Sequence, residues 1–138
     1  MKILIILAIA AVILAAASAL EIYREVHSFS VTRYNVTSPR LKKLRRETKI
    51  LFLSDLHNRI YGRHNDRLLQ AVRKENPDLI LIGGDMLVGR LDEPFDTAVE
   101  FVRQLPDICP VYYANGNHEE RMKEYAGKYG SAFADYRK

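Results

Sequence analysis

The feature that most constrains the fold is an alternation of short apolar runs with amphipathic segments in the second part of the sequence. Residues 49–53, 78–82 and 111–114 are short and almost continuously apolar, which is the pattern of buried strands. Residues 65–76 and 95–105 place apolar side chains on one face at helical spacing. Strand, helix, strand, helix, strand (βαβαβ) predicts a parallel sheet, so the predicted fold class is α/β.

Polar residues follow each predicted strand at its carboxyl end. They are Asp55 and His57 after the first strand, Asp85 after Gly83 and Gly84, and Asn117, His118 and Glu119 after the third strand. Open α/β sheets bind ligands at this edge. The sequence therefore predicts that the three clusters meet in one site.

Each cluster alone has a purely structural explanation. Asp55 and His57, two residues apart, form a metal-ligand pair, but so short a pattern also occurs by chance. Two glycines before Asp85 remove side-chain bulk where the backbone approaches another group, and a tight turn with a capping Asp explains the same residues. Asn117 and His118 would also suit a turn and a helix cap. Their order at the ends of three successive strands favours a metal site.

The three clusters resemble the first three blocks of the calcineurin-like metallophosphoesterases, with the pattern D-x-H, G-D and G-N-H-[DE]. The blocks in this sequence are Ser54-Asp55-Leu56-His57, Gly84-Asp85 and Gly116-Asn117-His118-Glu119. The resemblance runs from about Lys49 to the C-terminus. It is greatest for the branch with an N-terminal membrane segment, which includes lipid-linked UDP-diacylglucosamine pyrophosphohydrolases. It implies that residues 49–138 form the N-terminal half of a layered hydrolase domain.

The resemblance also implies a set of metal ligands. Asp55 and His57 would bind a first divalent cation, Asp85 would bridge it to a second, and Asn117 would bind the second. Two cations about 3.5 to 4 Å apart can clamp a phosphate and activate water for in-line attack. Mixed oxygen and nitrogen ligands favour Mn, Fe or Zn, and Mn is the first expectation.

His118 and Glu119 carry the remaining roles that the resemblance implies. His118 would protonate the leaving oxygen or stabilise the transferring phosphoryl group, and Glu119 would hold its imidazole in place. His27 and His64 match no ligand position of the family. The family completes its site with a further His and a Gly-His-x-His block, whereas no histidine follows His118.

This departure leaves two hypotheses. In the first, the chain is the N-terminal portion of a truncated, membrane-tethered phosphoesterase acting on a phosphate ester or a lipid-linked pyrophosphate. In the second, it is a non-catalytic, membrane-associated binding module that retains half a metal site. Monoester, diester and pyrophosphate hydrolysis all use such a site, and nothing in the sequence selects an oligomeric state.

The N-terminus predicts a membrane-insertion segment at residues 1–20. Residues 3–20 are an unbroken run of apolar and small residues in which Ser18 is the only polar member. A run of about 18 residues is near the lower limit for a spanning helix, yet longer than the usual signal-peptide core of roughly 7 to 15. An anchor is therefore favoured. Ala17-Ser18-Ala19 also fits a signal-peptidase site, and cleavage after Ala19 would give a secreted protein.

The net charge of +4 is concentrated beside this segment. Residues 21–49 hold eight basic and three acidic side chains (+5), Lys2 adds one, and residues 50–138 hold twelve basic and fourteen acidic side chains (−2). Such a stretch suits anionic lipid headgroups or a solvated linker. Nucleic acid is disfavoured because the stretch lacks interleaved aromatics. Basic residues just after the anchor favour a cytoplasmic catalytic part.

Residues 21–48 are predicted to be a juxtamembrane strand and linker. Residues 26–36 alternate partly between apolar and polar types, which predicts an edge strand, and residues 41–46 predict a basic helical connector. After the third cluster, residues 119–129 predict a further helix. Cys109 is the only cysteine, which excludes an internal disulfide, and it is predicted to be a small buried hydrophobe.

Overall fold

The chain divides into two compact units, Met1–Asn35 and Val36–Lys138. The structure is a computed structural model that describes residues 1–43, 46–90 and 96–124. The first unit contains one long helix, α1, at Lys2–His27. The described residues of the second unit form three strands and three α-helices.

Helix α1 is longer than the predicted segment. Its 26 residues are long and apolar enough to cross a membrane by length and composition, and a signal sequence would meet the same criteria. The prediction of an edge strand at residues 26–36 was wrong. Helix α1 continues to His27, and residues 28–38 form neither helix nor strand. A strand needs a paired neighbouring strand, so the propensity of residues 26–36 alone does not make them one.

The sheet has three parallel strands in the order β1-β2-β3. Strand β1 is Ile50–Leu53, β2 is Leu79–Ile82 and β3 is Val111–Tyr113. Ile50 pairs with Leu79, and Ile80 pairs with Val111. All three predicted strands and the α/β fold class are therefore confirmed.

Two helices connect the strands, as predicted. Helix α2 is Asp66–Glu75 and ends at Asn76, which takes a left-handed conformation before Pro77. Helix α3 is Asp96–Gln104, and residue 95 of its predicted span lies outside the described residues. Because helices of this kind are amphipathic, each buries one apolar face in the core. The core residues that these two helices and the sheet contribute are Leu68, Leu69, Val72, Ile80, Ile82, Ala98 and Phe101.

Helix α4, Asn117–Glu124, begins two residues earlier than predicted, and residues 125–129 of the prediction lie outside the described residues. Asn117 and His118 are therefore the first two residues of a helix rather than part of a loop. Short 3-10 helices occupy Pro39–Lys43, Arg63–Asn65 and Leu105–Asp107. The first of these overlaps the helical connector expected at residues 41–46, of which residues 44 and 45 lie outside the described residues.

The two faces of the sheet differ in exposure. In the parallel register Phe52, Leu81 and Tyr112 lie side by side on one face. Phe52 and Tyr112 are 66% and 67% exposed, whereas Ile80 and Ile82 on the other face are buried. Within the described residues, one apolar face of the sheet is therefore covered and the other is open to solvent.

Candidate metal centre at the carboxyl edge of the sheet

The loops that leave β1 and β2 run alongside each other past the ends of the strands. The backbone amide of Asp55 donates to the carbonyl of Gly84 (3.1 Å), and that of His57 donates to the carbonyl of Asp85 (3.0 Å). The amide of Asn58 continues the pattern by donating to Met86 (3.2 Å). These bonds bring the first two clusters together at the predicted edge of the sheet.

Several residues in these loops have left-handed backbone conformations. The φ angles of Asp55, His57 and Asp85 are 58°, 48° and 53°. Such values are uncommon for residues other than glycine and persist where the surrounding structure fixes them. Three of the seven non-glycine residues with a positive φ in the described part of the chain are therefore candidate ligands.

Two glycines allow the loops to meet. Gly84 has a φ of 92°, and a Cβ atom there would overlap the backbone of Asn115 and Gly116. A Cβ atom at Gly116 would in turn overlap Asp85. The close approach of the loops after β2 and β3 therefore requires glycine at both positions.

Asp55, His57 and Asp85 form a group that could hold a metal ion. One ligand atom from each lies within 4.8 Å of the others. The Nε2 atom of His57 lies 3.4 Å from Oδ1 of Asp55, and the Ser54 hydroxyl donates to the other oxygen of Asp55. The Asp55 side chain is 64% exposed and that of His57 is 34% exposed, so the group is open to solvent.

Asn117 adds a further donor beside Asp85. With its amide nitrogen turned towards Asp85, Asn117 donates to Oδ1 (3.2 Å) and Oδ2 (2.8 Å). With its oxygen turned that way, two acceptors would face each other, and a cation between them would be needed to stabilise the pair. Carboxylate, amide and imidazole donors suit a divalent transition metal, so these residues fit such an ion.

His118 lies beside the candidate ligands but makes different contacts. Its backbone amide donates to Oδ1 of Asp85 (2.9 Å), and its Nδ1 atom accepts from the amide of Gly89 (3.3 Å). Because Nδ1 is an acceptor, the neutral imidazole carries its proton on Nε2. The Gly89 contact had no signal in the sequence, because a backbone amide of any residue could make it.

The carboxylate of Glu119 contacts other groups than the one that the resemblance implied. Its carboxylate was expected to hold the His118 imidazole, but it accepts instead from the backbone amides of Asp85, Met86 and Gly116 and from the Tyr113 hydroxyl. The difference arises because α4 already begins at Asn117. Asn117 to Glu119 form the first helical turn, and its side chains point in different directions around the axis.

Glu120 and the two histidines outside the three clusters have local partners of their own. The Asn115 amide donates to Glu120 (2.7 Å) and, with the neighbouring Lys123, holds the pKa of that carboxyl below its ordinary value. His64 pairs with Glu100 on the surface (3.3 Å), and the Nδ1 atom of His27 contacts the Tyr23 carbonyl. These two histidines therefore lie outside the candidate ligand group.

Comparison with known proteins defines the class of this chain. The family model described as calcineurin-like phosphoesterase matches residues 48–137. The chain therefore belongs to the calcineurin-like phosphoesterase family, whose members are metal-dependent hydrolases of phosphate esters.

Three curated relatives carry the same kind of description. An uncharacterized metallophosphoesterase of Helicobacter pylori is 31% identical over 57% of this chain and 22% of its own length. The uncharacterized metallophosphoesterase Cj0846 of Campylobacter jejuni is 31% identical over 64% of this chain and 23% of its own length. Phosphodiesterase YaeI of Escherichia coli is 32% identical over 51% of this chain and 27% of its own length. The chain thus spans only about a quarter of these relatives. No solved structure matches it significantly.

Proposed function

We propose that this protein is a membrane-anchored phosphoesterase that hydrolyses a phosphate ester or a pyrophosphate at a site for two divalent cations. The observation that carries the proposal is the convergence of Asp55, His57 and Asp85, whose ligand atoms lie within 4.8 Å of one another. Family membership supplies the reaction class. Since the chain spans about a quarter of its curated relatives, the activity is proposed for the whole protein.

The ligands divide between two cations in this proposal. Asp55 and His57 would bind the first, Asn117 would bind the second, and Asp85 would bridge them. The position of Asp85 supports this division, since its carboxylate belongs to the group with Asp55 and His57 and also contacts the Asn117 amide. We propose Mn first, with Fe or Zn as alternatives, from the mixture of oxygen and nitrogen donors. In this proposal the second cation needs further ligands besides Asp85 and Asn117, and no histidine follows His118 in the sequence.

The residues of this chain have distinct tasks in the reaction. When bound, the divalent cations would neutralise charge on the phosphoryl group and activate water. His118 would donate the proton on Nε2 to the leaving oxygen, since its Nδ1 atom is occupied by the Gly89 amide. The exposure of Asp55 and His57 leaves a path for substrate from solvent.

The substrate class is proposed from the N-terminal helix. An anchor formed by α1, Lys2–His27, would hold the site near the bilayer, where a lipid-linked pyrophosphate would be presented. We propose the cytoplasmic side from the basic residues that follow the helix. The mature protein should retain Met1 or Lys2 and remain in membranes after alkaline extraction. An N-terminus at Leu20 in a soluble fraction would instead establish cleavage after Ala19.

The metal site is tested by Mn²⁺ binding and by hydrolysis. We expect the protein to bind Mn²⁺ in a calorimetric titration and to hydrolyse aryl phosphate monoesters or diesters, with hydrolysis lost after treatment with a chelator. Asp85→Ala should remove Mn²⁺ binding, whereas Asp107→Ala, an exposed aspartate in a 3-10 helix, is the matched control. Chelator-resistant hydrolysis would contradict the proposal. Mn²⁺ binding without hydrolysis in the whole protein would favour the non-catalytic binding module.

A further inference from the structure

Glu119 is a fully buried carboxylate surrounded by donors. Its Oε2 atom accepts from the backbone amides of Asp85 and Gly116, both at 2.9 Å. Its Oε1 atom accepts from the amide of Met86 and from the Tyr113 hydroxyl, also at 2.9 Å. An ionised carboxylate offers acceptors only, about two for each oxygen, so these four donors saturate it. Loss of this carboxylate would leave several buried donors without a partner.

Glu119 binds the backbone of the loop that carries the candidate ligand Asp85. Asp85 has a left-handed φ of 53° and follows Gly84, whose φ is 92°. Two hydrogen bonds fix Asp85 to the start of α4. Its amide donates to Glu119, and its carboxylate accepts from the amide of His118. A strained conformation of this kind persists only when its surroundings determine it.

We propose that Glu119 is a positioning residue that aims the Asp85 carboxylate at the metal site, with the Tyr113 hydroxyl orienting Glu119 in turn. This inference rests on the proposed function, because it takes Asp85 to be a metal ligand. Residues behind metal ligands typically change metal affinity by 10-fold to 100-fold when they are replaced. Glu119 is distinguished from an ordinary buried residue by its direct bonds to the backbone amides of Asp85 and of the next residue, Met86.

The test uses three substitutions in the full chain. Glu119→Gln keeps the size of the side chain but turns an NH2 group towards two donors. Tyr113→Phe removes only the hydroxyl that donates to Glu119, from a side chain that is 36% exposed. Glu120→Gln is the control, since Glu120 is an adjacent glutamate on the same helix whose partners are Asn115 and Lys123. Mn²⁺ affinity is measured by calorimetry, coordination geometry by the visible absorption of the Co²⁺-loaded chain, and the Asp85 and Met86 amides by hydrogen exchange.

We expect Glu119→Gln to weaken Mn²⁺ binding by roughly 10-fold to 100-fold and to alter the Co²⁺ spectrum. Tyr113→Phe should change both in the same direction by a smaller factor, and Glu120→Gln should change neither. If Glu119→Gln fails to fold, Tyr113→Phe still decides the question. Wild-type Mn²⁺ affinity in Tyr113→Phe and in a folded Glu119→Gln would overturn the inference, as would equal losses in Glu120→Gln.

Failure of the proposed function would give a different result. A wild-type chain that binds no Mn²⁺ would overturn the metal-site proposal and the metal-positioning role together. Faster exchange of the Asp85 and Met86 amides in Glu119→Gln would then still establish that Glu119 holds this loop. Unchanged exchange of both amides would overturn that contact as well.

Discussion

The imidazole rings of His57 and His118 meet edge to face, with centroids 5.0 Å apart and planes at 81°. One ring belongs to the candidate ligand group, and the other is on the first turn of α4. His57 from the loop after β1 and His118 from the helix after β3 therefore lie side by side in the candidate site. Their different hydrogen bonds suit different tasks, since Nδ1 of His118 is occupied by a backbone amide while Nε2 of His57 lies near Asp55.

His118→Ala should lower turnover of the active protein by roughly 100-fold or more, because general acid catalysis contributes about that much. Metal content should stay close to that of the wild type, since His118 is not among the grouped ligands Asp55, His57 and Asp85. Steady-state kinetics with an aryl phosphate and metal analysis of the same preparations provide the measurement.

Two variants make this prediction specific. His64→Ala removes another histidine, an exposed one paired with Glu100, and should leave turnover unchanged. Asp85→Ala should lose metal. If His118→Ala lost both ions while Asp85→Ala kept them, the roles of His118 and Asp85 would be reversed.

The sequence was sufficient to predict the strands and the edge where the site lies. Short apolar runs identify the strands, although only one face of the sheet is covered within the described residues, and polar residues at their ends mark the turn out of the sheet. The conformation of the site was not predictable in this way. The left-handed φ of Asp55 depends on hydrogen bonds to the loop after β2, about 30 residues away along the chain.

Glu119 illustrates the same limit of local patterns. Its neighbour in the sequence is His118, which made orientation of the imidazole the natural expectation. Its partners are the amides of Asp85, Met86 and Gly116 and the Tyr113 hydroxyl, and the first two belong to the loop after β2, more than 30 residues away along the chain. The false edge strand at residues 26–36 has a related cause, since strand formation depends on a partner strand that propensity does not provide.

Gly84→Ala should lower the free energy of unfolding by about 1 to 3 kcal/mol, the usual cost of a residue in an unfavourable backbone region. The added Cβ would also overlap the Gly116 backbone. Gly83→Ala is the matched control, because its Cβ would meet mainly the ring of the exposed Phe52, which can move. Thermal unfolding of both variants gives the comparison. Equal effects at the two positions would contradict the close approach of Gly84 and Gly116.

Asp78→Asn should lower the free energy of unfolding at neutral pH. The free energy of unfolding of this variant should also fall less than that of the wild type as the pH is lowered. The backbone amide of Lys49 and the guanidinium of Arg46 hold the pKa of Asp78 below its ordinary value. Since the unfolded chain then binds a proton more readily than the folded one, the stabilisation is complete above the unfolded pKa and disappears as the pH falls through the folded pKa.

Urea unfolding from pH 7 to pH 2 tests this directly. The difference in stability between wild type and Asp78→Asn should narrow below about pH 4. Asp107→Asn is the control on an exposed 3-10 helix. A difference that stayed constant with pH would show that the loss is one of hydrogen-bond geometry rather than charge.

Cys109 should react slowly with an alkylating reagent at pH 8. Burial, with the negative charge of Asp78 nearby, raises the pKa of its thiol, and only the thiolate is nucleophilic. Cys109 is partly rather than fully buried, so the reagent can reach it without unfolding. Labelling should accelerate as the pH is raised and should be faster in the urea-unfolded chain than in the folded chain. Equal rates in folded and unfolded chains at pH 8 would contradict a raised pKa.

Residues 21–138 should associate in solution through the open face of the sheet. Phe52 and Tyr112 lie in register with Leu81 between them and are about two-thirds exposed, and contiguous apolar surface of this kind promotes association. The double substitution of Phe52→Lys and Tyr112→Lys should lower the weight-average sedimentation coefficient and reduce binding of a hydrophobic dye. Ile60→Lys, which changes an exposed apolar residue in a loop outside the sheet, should do neither. Equal effects of the two changes would show that association follows net charge rather than the sheet face.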